Sequence, residues 1–242
     1  MPKAKYEPIY KQIKEDIVNG KYKVGEYLPS ENTYADRYAC TRNTVRRALG
    51  ILTNEGYIIT QHGKGVQVIY DPTHIQNIFT VGGIESFDEA RKRTNANVQT
   101  VVKIFQEIIC DEQLSLMTGF DIGSKLYYIE RIRIIDQIAS IFDTNIFLAS
   151  ETEGLTPKIA QKSIYNYLEN NLHMSITTSR RRVTAEDATP KDEEYLNLDS
   201  HHFVLVVTGQ VFNSKGIMFE YTQSRHRPDK ACFVESATRQ SL

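Results

Sequence analysis

"CTRNTVRRAL", residues 40–49, holds three arginines, an asparagine and two threonines among four apolar residues. At about 100° per residue, Val45, Ala48, Leu49 and Leu52 fall on one side of a helix. Arg42, Asn43, Arg46 and Arg47 fall on the opposite side. Thr41 is the expected N-cap, and the helix is expected to run to Glu55 and stop at Gly56. Such a helix buries one stripe and presents a basic, hydrogen-bonding stripe at its N-terminal end. Taken alone, the arginines read better as a solvated face. The flanking segments decide between the two.

Upstream, Ile9, Ile13 and Ile17 recur at i, i+4 and i+8, which predicts a short amphipathic helix. Ser30 is placed to cap a second helix, "ENTYADRY", whose acidic first turn suits the helix dipole. Ala39 and Cys40 make a tight connection into the basic helix. Downstream, "YIIT", "QHGKG" and "VQVIY" read as strand, glycine turn and strand. Helix, helix, basic helix and hairpin, in that order, describe a winged helix-turn-helix over residues 1–70. Its third helix would enter a major groove by its N-terminal end. There arginine suits guanine, asparagine suits adenine, and threonine reaches phosphate or a thymine methyl. His62 and Lys64, at a hairpin tip opened by Gly63 and Gly65, would reach a minor groove or flanking phosphates.

Charge agrees. Residues 1–70 carry 11 Lys+Arg against 7 Asp+Glu, whereas residues 71–242 carry 18 against 23. A basic module is thus joined to an acidic one, as expected when only one of them meets a polyanion. Cys40, Cys110 and Cys232 have no disulfide or zinc spacing and read as reduced thiols. "MPKAKYEPIY" has no apolar signal segment, and the run from Phe203 to Val207 is too short to span a bilayer. The expectation is a soluble, cytoplasmic protein.

Residues 71–77, "DPTHIQN", are polar with a proline and read as a linker to a second domain over 78–242. Strands are expected at Val98–Ile109, Leu126–Ile135, Ile138–Phe147 and along "SITTSRRRVTAEDA", "HFVLVVTGQVF", "GIMFEYTQSRH" and "ACFVESA". Helices are expected at "DEQLSLMTGF", "PKIAQKSIYNYLENNL" and "TPKDEEYLNL". Few strands alternate singly with helices, which predicts an α+β fold: an antiparallel sheet with helices to one side.

No enzyme motif stands in this half. The six histidines lack metal-ligand spacing, and no G-x-S-x-G, P-loop or G-x-G-x-x-G appears. His201 and His202, read on one strand, would point to opposite faces, and "SRRRV" at 179–183 reads as a solvated strand. Arg131 and Arg133 lie two apart on a strand and share a face, an arrangement matched to a phosphate or carboxylate. If the turn at 136–138 holds three residues, Asp143 sits across from Arg131, and a cross-strand salt bridge explains the pair equally well. Ser86 and Ser163 each begin a helix-like run, where a hydroxyl and free N–H groups can bind an anion; ordinary N-capping competes, and leads for Ser163.

The "G-x-x-LPSE" stretch, the "TRNTVRRAL" helix and the "HGKG" wing resemble the DNA-binding domain of GntR-type bacterial regulators across about sixty residues. The resemblance implies that Thr41, Arg42, Asn43, Thr44 and Arg46 face DNA from the helix, and His62, Gly63 and Lys64 from the wing. Residues beyond about 78 are similar to the UTRA effector domain of the HutC branch, a chorismate-lyase-like fold. "KSIYNYLENNLHMSIT" and "FEYTQSRHRPDKACFV" resemble the regulators of trehalose operons within that branch. What this implies is a pocket for a small phosphorylated sugar, with trehalose 6-phosphate favoured. By position, Ser86, Phe87, Arg131, Arg133 and Ser163 would take the phosphate, and Asp143, Glu220 and His226 the sugar hydroxyls. The expected protein is a homodimeric repressor of disaccharide uptake genes that binds operator DNA and needs no cofactor or metal. Two alternatives stay open: another sugar phosphate as effector, and a lyase-like enzyme fused to a DNA-binding domain.

Overall fold

Ile9, Ile13 and Ile17 line the buried side of the first helix, α1 (Glu7–Val18). They meet Tyr34 and Ala35 of α2 (Glu31–Arg37) and Val45, Ala48, Leu49 and Leu52 of α3 (Arg42–Asn54) in one apolar core. Ser30 and Thr41 cap α2 and α3, each accepting from the backbone N–H three residues on. The hairpin β1 (Ile58–Gln61) and β2 (Gly65–Val68) closes this unit, with Ile58 and Val68 in the same core. In this computed structural model, residues 6–71, 78–80 and 97–234 are described. Among them, the chain clusters into two compact units, the helical one and one built on a large sheet. No helix among the described residues is long and apolar enough to cross a membrane.

The second unit is a six-stranded antiparallel sheet in the order β4-β5-β6-β9-β8-β7. Its strands are β4 (Val98–Ile109), β5 (Lys125–Ile135), β6 (Ile138–Leu148), β7 (Ile176–Asp187), β8 (Phe203–Asn213) and β9 (Met218–His226). A separate two-stranded sheet pairs β3 (Ile78–Thr80) with β10 (Cys232–Val234). Between the strands, among the described residues, run four short α-helices: α4 (Glu112–Thr118), α5 (Pro157–Ala160), α6 (Ile164–Asn170) and α7 (Pro190–Tyr195).

Four expectations change. The single helix expected over 157–172 is two, because Ser163 leaves helical geometry (ψ 109°) to cap the second. The helices do not gather on one side. Ala160, Ile164 and Leu168 pack on Ile129, Phe147 and Val211, while Leu196 and Leu198 pack on Phe142, Val204 and Val206 of the other face. His201 and His202 precede β8 instead of lying on it. The β5–β6 turn holds two residues, not three: Asp136 (φ 49°) and Gln137 (φ 70°) both take the left-handed conformation that suits a hairpin. A bulge beyond Arg133 then restores the expected register, and Arg131 stands opposite Asp143.

Candidate DNA interface and effector site

On α3 the apolar stripe is buried, and Arg42, Asn43 and Arg46 are exposed on the other side. Thr41 spends its hydroxyl oxygen on the cap, accepting from the Thr44 N–H at 3.4 Å, and the two threonine hydroxyls lie 3.0 Å apart. The structure adds a residue that the sequence reading passed over. Glu31, at the start of α2, accepts from Arg46 Nε at 2.9 and 3.0 Å and from Arg42 at 3.3 Å. The bond from Arg46 is the main reason its carboxyl is held below the usual range. One carboxylate thus gathers two of the three arginines of the opening stretch at the N-terminal end of α3. The third, Arg47, lies instead 4.2 Å over the ring of Tyr6.

The wing is braced from behind. Tyr27 bridges to Gln67 and donates its hydroxyl to Gln61 at 2.9 Å, while Gln67 donates to the Gly25 carbonyl at 2.8 Å. His62, Gly63 and Lys64 form the exposed tip, with Gly63 in the left-handed region (φ 74°). Long polar side chains at 61 and 67 are the only signal of this brace in the sequence.

In the second unit, alternation puts Arg131 and Arg133 of β5, Asp143 and Asn145 of β6, and Glu220, Thr222, Ser224 and His226 of β9 on one face. Arg131, Arg133, Asp143, Asn145, Glu220 and His226 are all buried. Arg131 donates to Asn145 Oδ1 at 2.7 and 3.2 Å and to the Ala160 carbonyl at 3.3 Å. Arg133 donates to Asp143 at 2.9 Å and to Thr100 at 2.7 Å. Asn145 passes a bond on to Glu220 at 2.9 Å, and the Tyr165 hydroxyl donates to the other Glu220 oxygen at 2.6 Å. Ser224 donates to Asp143 at 2.6 Å. The competing salt bridge is therefore real but diagonal: Asp143 bonds Arg133, with Arg131, its directly opposite neighbour, at 4.0 Å.

The electrostatics favour an anion. Burial, with Arg133 alongside, pushes the Arg131 guanidinium down to about 9, so it stays charged at neutral pH. Burial would raise Asp143, but Arg133, Arg131 and the Ser224 bond outweigh it and hold the carboxyl low. Burial lifts Glu220 above the ordinary carboxyl range, against its Tyr165 and Asn145 bonds. His226 is pushed down to about 4 by burial and is neutral. Arg131 thus donates to the neutral acceptors Asn145 and the Ala160 carbonyl, with Asp143 no nearer than 4.0 Å, which leaves a buried guanidinium matched to an incoming phosphate.

Ser163 caps α6, accepting from the Asn166 N–H at 3.2 Å. Ser86 and Phe87 lie outside the described residues. Asn145, Thr100, Tyr165 and Ser224 belong to the network and were missed in the sequence. Applying to β6 and β9 the two-residue alternation used for Arg131 and Arg133 would have found Asn145 and Ser224.

Residues 5–68 match the model of the gntR family of bacterial regulatory proteins, and residues 94–231 match the UTRA domain. The chain belongs to the GntR family. The HTH-type transcriptional regulator TreR of Bacillus subtilis (strain 168) is 34% identical over 97% of this chain and 98% of its own. The effector-binding domain of the B. subtilis trehalose repressor is 32% identical over 59% of this chain and 99% of that one, at a TM-score of 0.55. The possible transcriptional regulator YydK of B. subtilis is 18% identical over 96% of this chain and 100% of its own, at a TM-score of 0.83, a likeness of fold. In this GntR regulator the DNA-binding helix-turn-helix and the antiparallel UTRA sheet are thus separate units.

Proposed function

We propose that this GntR regulator is a homodimeric, cytoplasmic repressor of trehalose uptake and utilisation genes, released from its operator by trehalose 6-phosphate. Residues 1–70 bind DNA through Thr41, Arg42, Asn43, Thr44 and Arg46 of α3 and His62, Gly63 and Lys64 of the wing. Residues 71–77 are the linker, and 78–242 bind effector and form the dimer. Ser86, Phe87, Arg131, Arg133 and Ser163 receive the phosphate; Asp143, Glu220 and His226 receive sugar hydroxyls.

The observation that carries this reading is the buried pair Arg131 and Arg133, with a single low-pKa carboxylate between them. Asp143 is engaged by Arg133 and stays 4.0 Å from Arg131, so the Arg131 guanidinium is placed to take a second anion. The acceptors Asp143, Glu220 and Asn145 around them suit sugar hydroxyls. The similarity to TreR over nearly the full length supports a disaccharide phosphate. Effector binding favours a dimer geometry in which the two α3 helices no longer match successive major grooves.

The test is a thermal-shift and gel-shift series over phosphorylated mono- and disaccharides. Trehalose 6-phosphate should raise the melting temperature, release operator DNA and be recovered unchanged. Release by a different compound alone would replace the effector, and turnover of any of them would replace the regulator with an enzyme.

A further inference from the structure

The sequence reading treated "SRRRV" as a solvated strand, and for Arg180 and Arg182 it is one. Arg181 is different. It is half-buried on β7 and points to the face that carries Arg131, Asp143 and Glu220. Register ties it into the site: Arg181 pairs with Gly209, Gly209 with Thr222, and Thr222 with Asn145, which holds Arg131. Arg181 Nε also donates to Ser179 at 3.2 Å, on the same face.

Gly209 shows why Arg181 can lie inward. It is not among the glycines with positive φ, so its backbone does not require glycine. A Cβ there would sit 3.2 Å from Thr222 Cγ2 and 3.6 Å from Arg181 Cγ. The missing side chain lets the Thr222 methyl and the Arg181 stem close over the strand, with little room left for a Cβ between them. Glycine inside a strand commonly marks such a close approach. The charge of Arg181 is felt within the site. Burial and Glu220 push the Tyr165 hydroxyl well up, and Arg181 and Arg131 oppose them.

We propose that Arg181, its stem laid against Gly209, is a further effector-binding residue that grips the sugar ring remote from the phosphate. The proposal rests on the effector reading above. β5 and β7 are four strand spacings apart, about 19 Å at ~4.8 Å each. A ligand anchored at Arg131 and Arg133 meets Arg181 at its far end, and a second hexose lengthens it in that direction. A guanidinium at that end donates to ring hydroxyls and selects a disaccharide phosphate over a monosaccharide phosphate.

Calorimetric titration of the full-length chain with trehalose 6-phosphate and with glucose 6-phosphate tests this. Wild-type protein should bind the disaccharide more tightly. Arg181→Gln should weaken trehalose 6-phosphate by about tenfold or more, removing that advantage, with the melting temperature unchanged. Gly209→Ala, which keeps Arg181 but pushes against its stem and the Thr222 methyl, should lose the same advantage. If the wild type binds neither compound, the effector reading falls, and this proposal with it. If it binds trehalose 6-phosphate but Arg181→Gln keeps the full disaccharide advantage, or loses both ligands equally, only the role of Arg181 is overturned.

Discussion

Arg42 and Arg46 share the carboxylate of Glu31, which gathers them at the N-terminal end of α3, where the proposed function has them meet DNA. A lost bidentate base contact is worth about 1–3 kcal/mol. Arg42→Ala should therefore weaken operator binding by that amount and leave effector binding as it was; an unchanged gel-shift affinity would take Arg42 out of the interface. His226 supports a second prediction, on pH. Its folded pKa is depressed from 6.5 to about 4, so between those values the unfolded chain binds a proton that the folded chain refuses. Stability from this residue is complete above about pH 6.5 and is lost as pH falls toward 4, at most about 3 kcal/mol. Glu220 works the other way, because its raised folded pKa favours the folded state as pH falls. The melting temperature of the wild type should therefore drop more steeply from pH 6.5 to 4 than that of His226→Gln; parallel curves would show that His226 is not the group refusing the proton.

At the scale of elements, α3 and the wing were legible because their signals are local. A cap, an apolar stripe and a glycine turn lie within twenty-five residues of each other. The wing yields a prediction of its own. Lys64 sits at an exposed tip with no sequence-reading geometry around it, so Lys64→Ala should weaken operator and non-operator DNA about equally. The salt dependence of binding should fall by about one unit in slope. Loss confined to the operator would mean that Lys64 reads bases. The β5–β6 hairpin shows where local reading is weaker. Its register came out as expected, but through a two-residue turn and a bulge in place of a three-residue turn. Both routes shift pairing by the same one residue, so alternation along the strands cannot tell them apart.

For the whole molecule, the consequence to test is the separation of the two functions. Arg131 bonds Asn145 and the Ala160 carbonyl and approaches Asp143 only to 4.0 Å, so replacing it leaves the Arg133–Asp143 pair standing. Arg131→Gln should bind operator as the wild type does and lose release by trehalose 6-phosphate, because a charge-assisted bond is worth about 1.5–3 kcal/mol. In the cell it would repress whether or not the sugar is present. Arg133→Ala is the harsher change. It leaves Asp143 buried without its nearest cation, a loss on the order of 3–5 kcal/mol, and should lower the melting temperature as well as the response. Normal release from Arg131→Gln, followed by gel shift, would remove the phosphate from this pair.

The sequence by itself determined the two-part plan, the basic helix and its hairpin, and the shared face of Arg131 and Arg133. Each follows from a period of 3.6 or 2 within one element, or from a cap a few residues away. Only the tertiary structure decided which side chains meet. Glu31 reaches Arg46 across 15 residues, Asn145 reaches Glu220 across 75, and three strand pairings set Arg181 in one row with Asn145. Those partnerships depend on strand order, and the order β4-β5-β6-β9-β8-β7 departs from chain order at β9. Periodicity within a strand fixes the face that a residue takes. Which neighbour lies beside it is decided by the packing of the whole sheet.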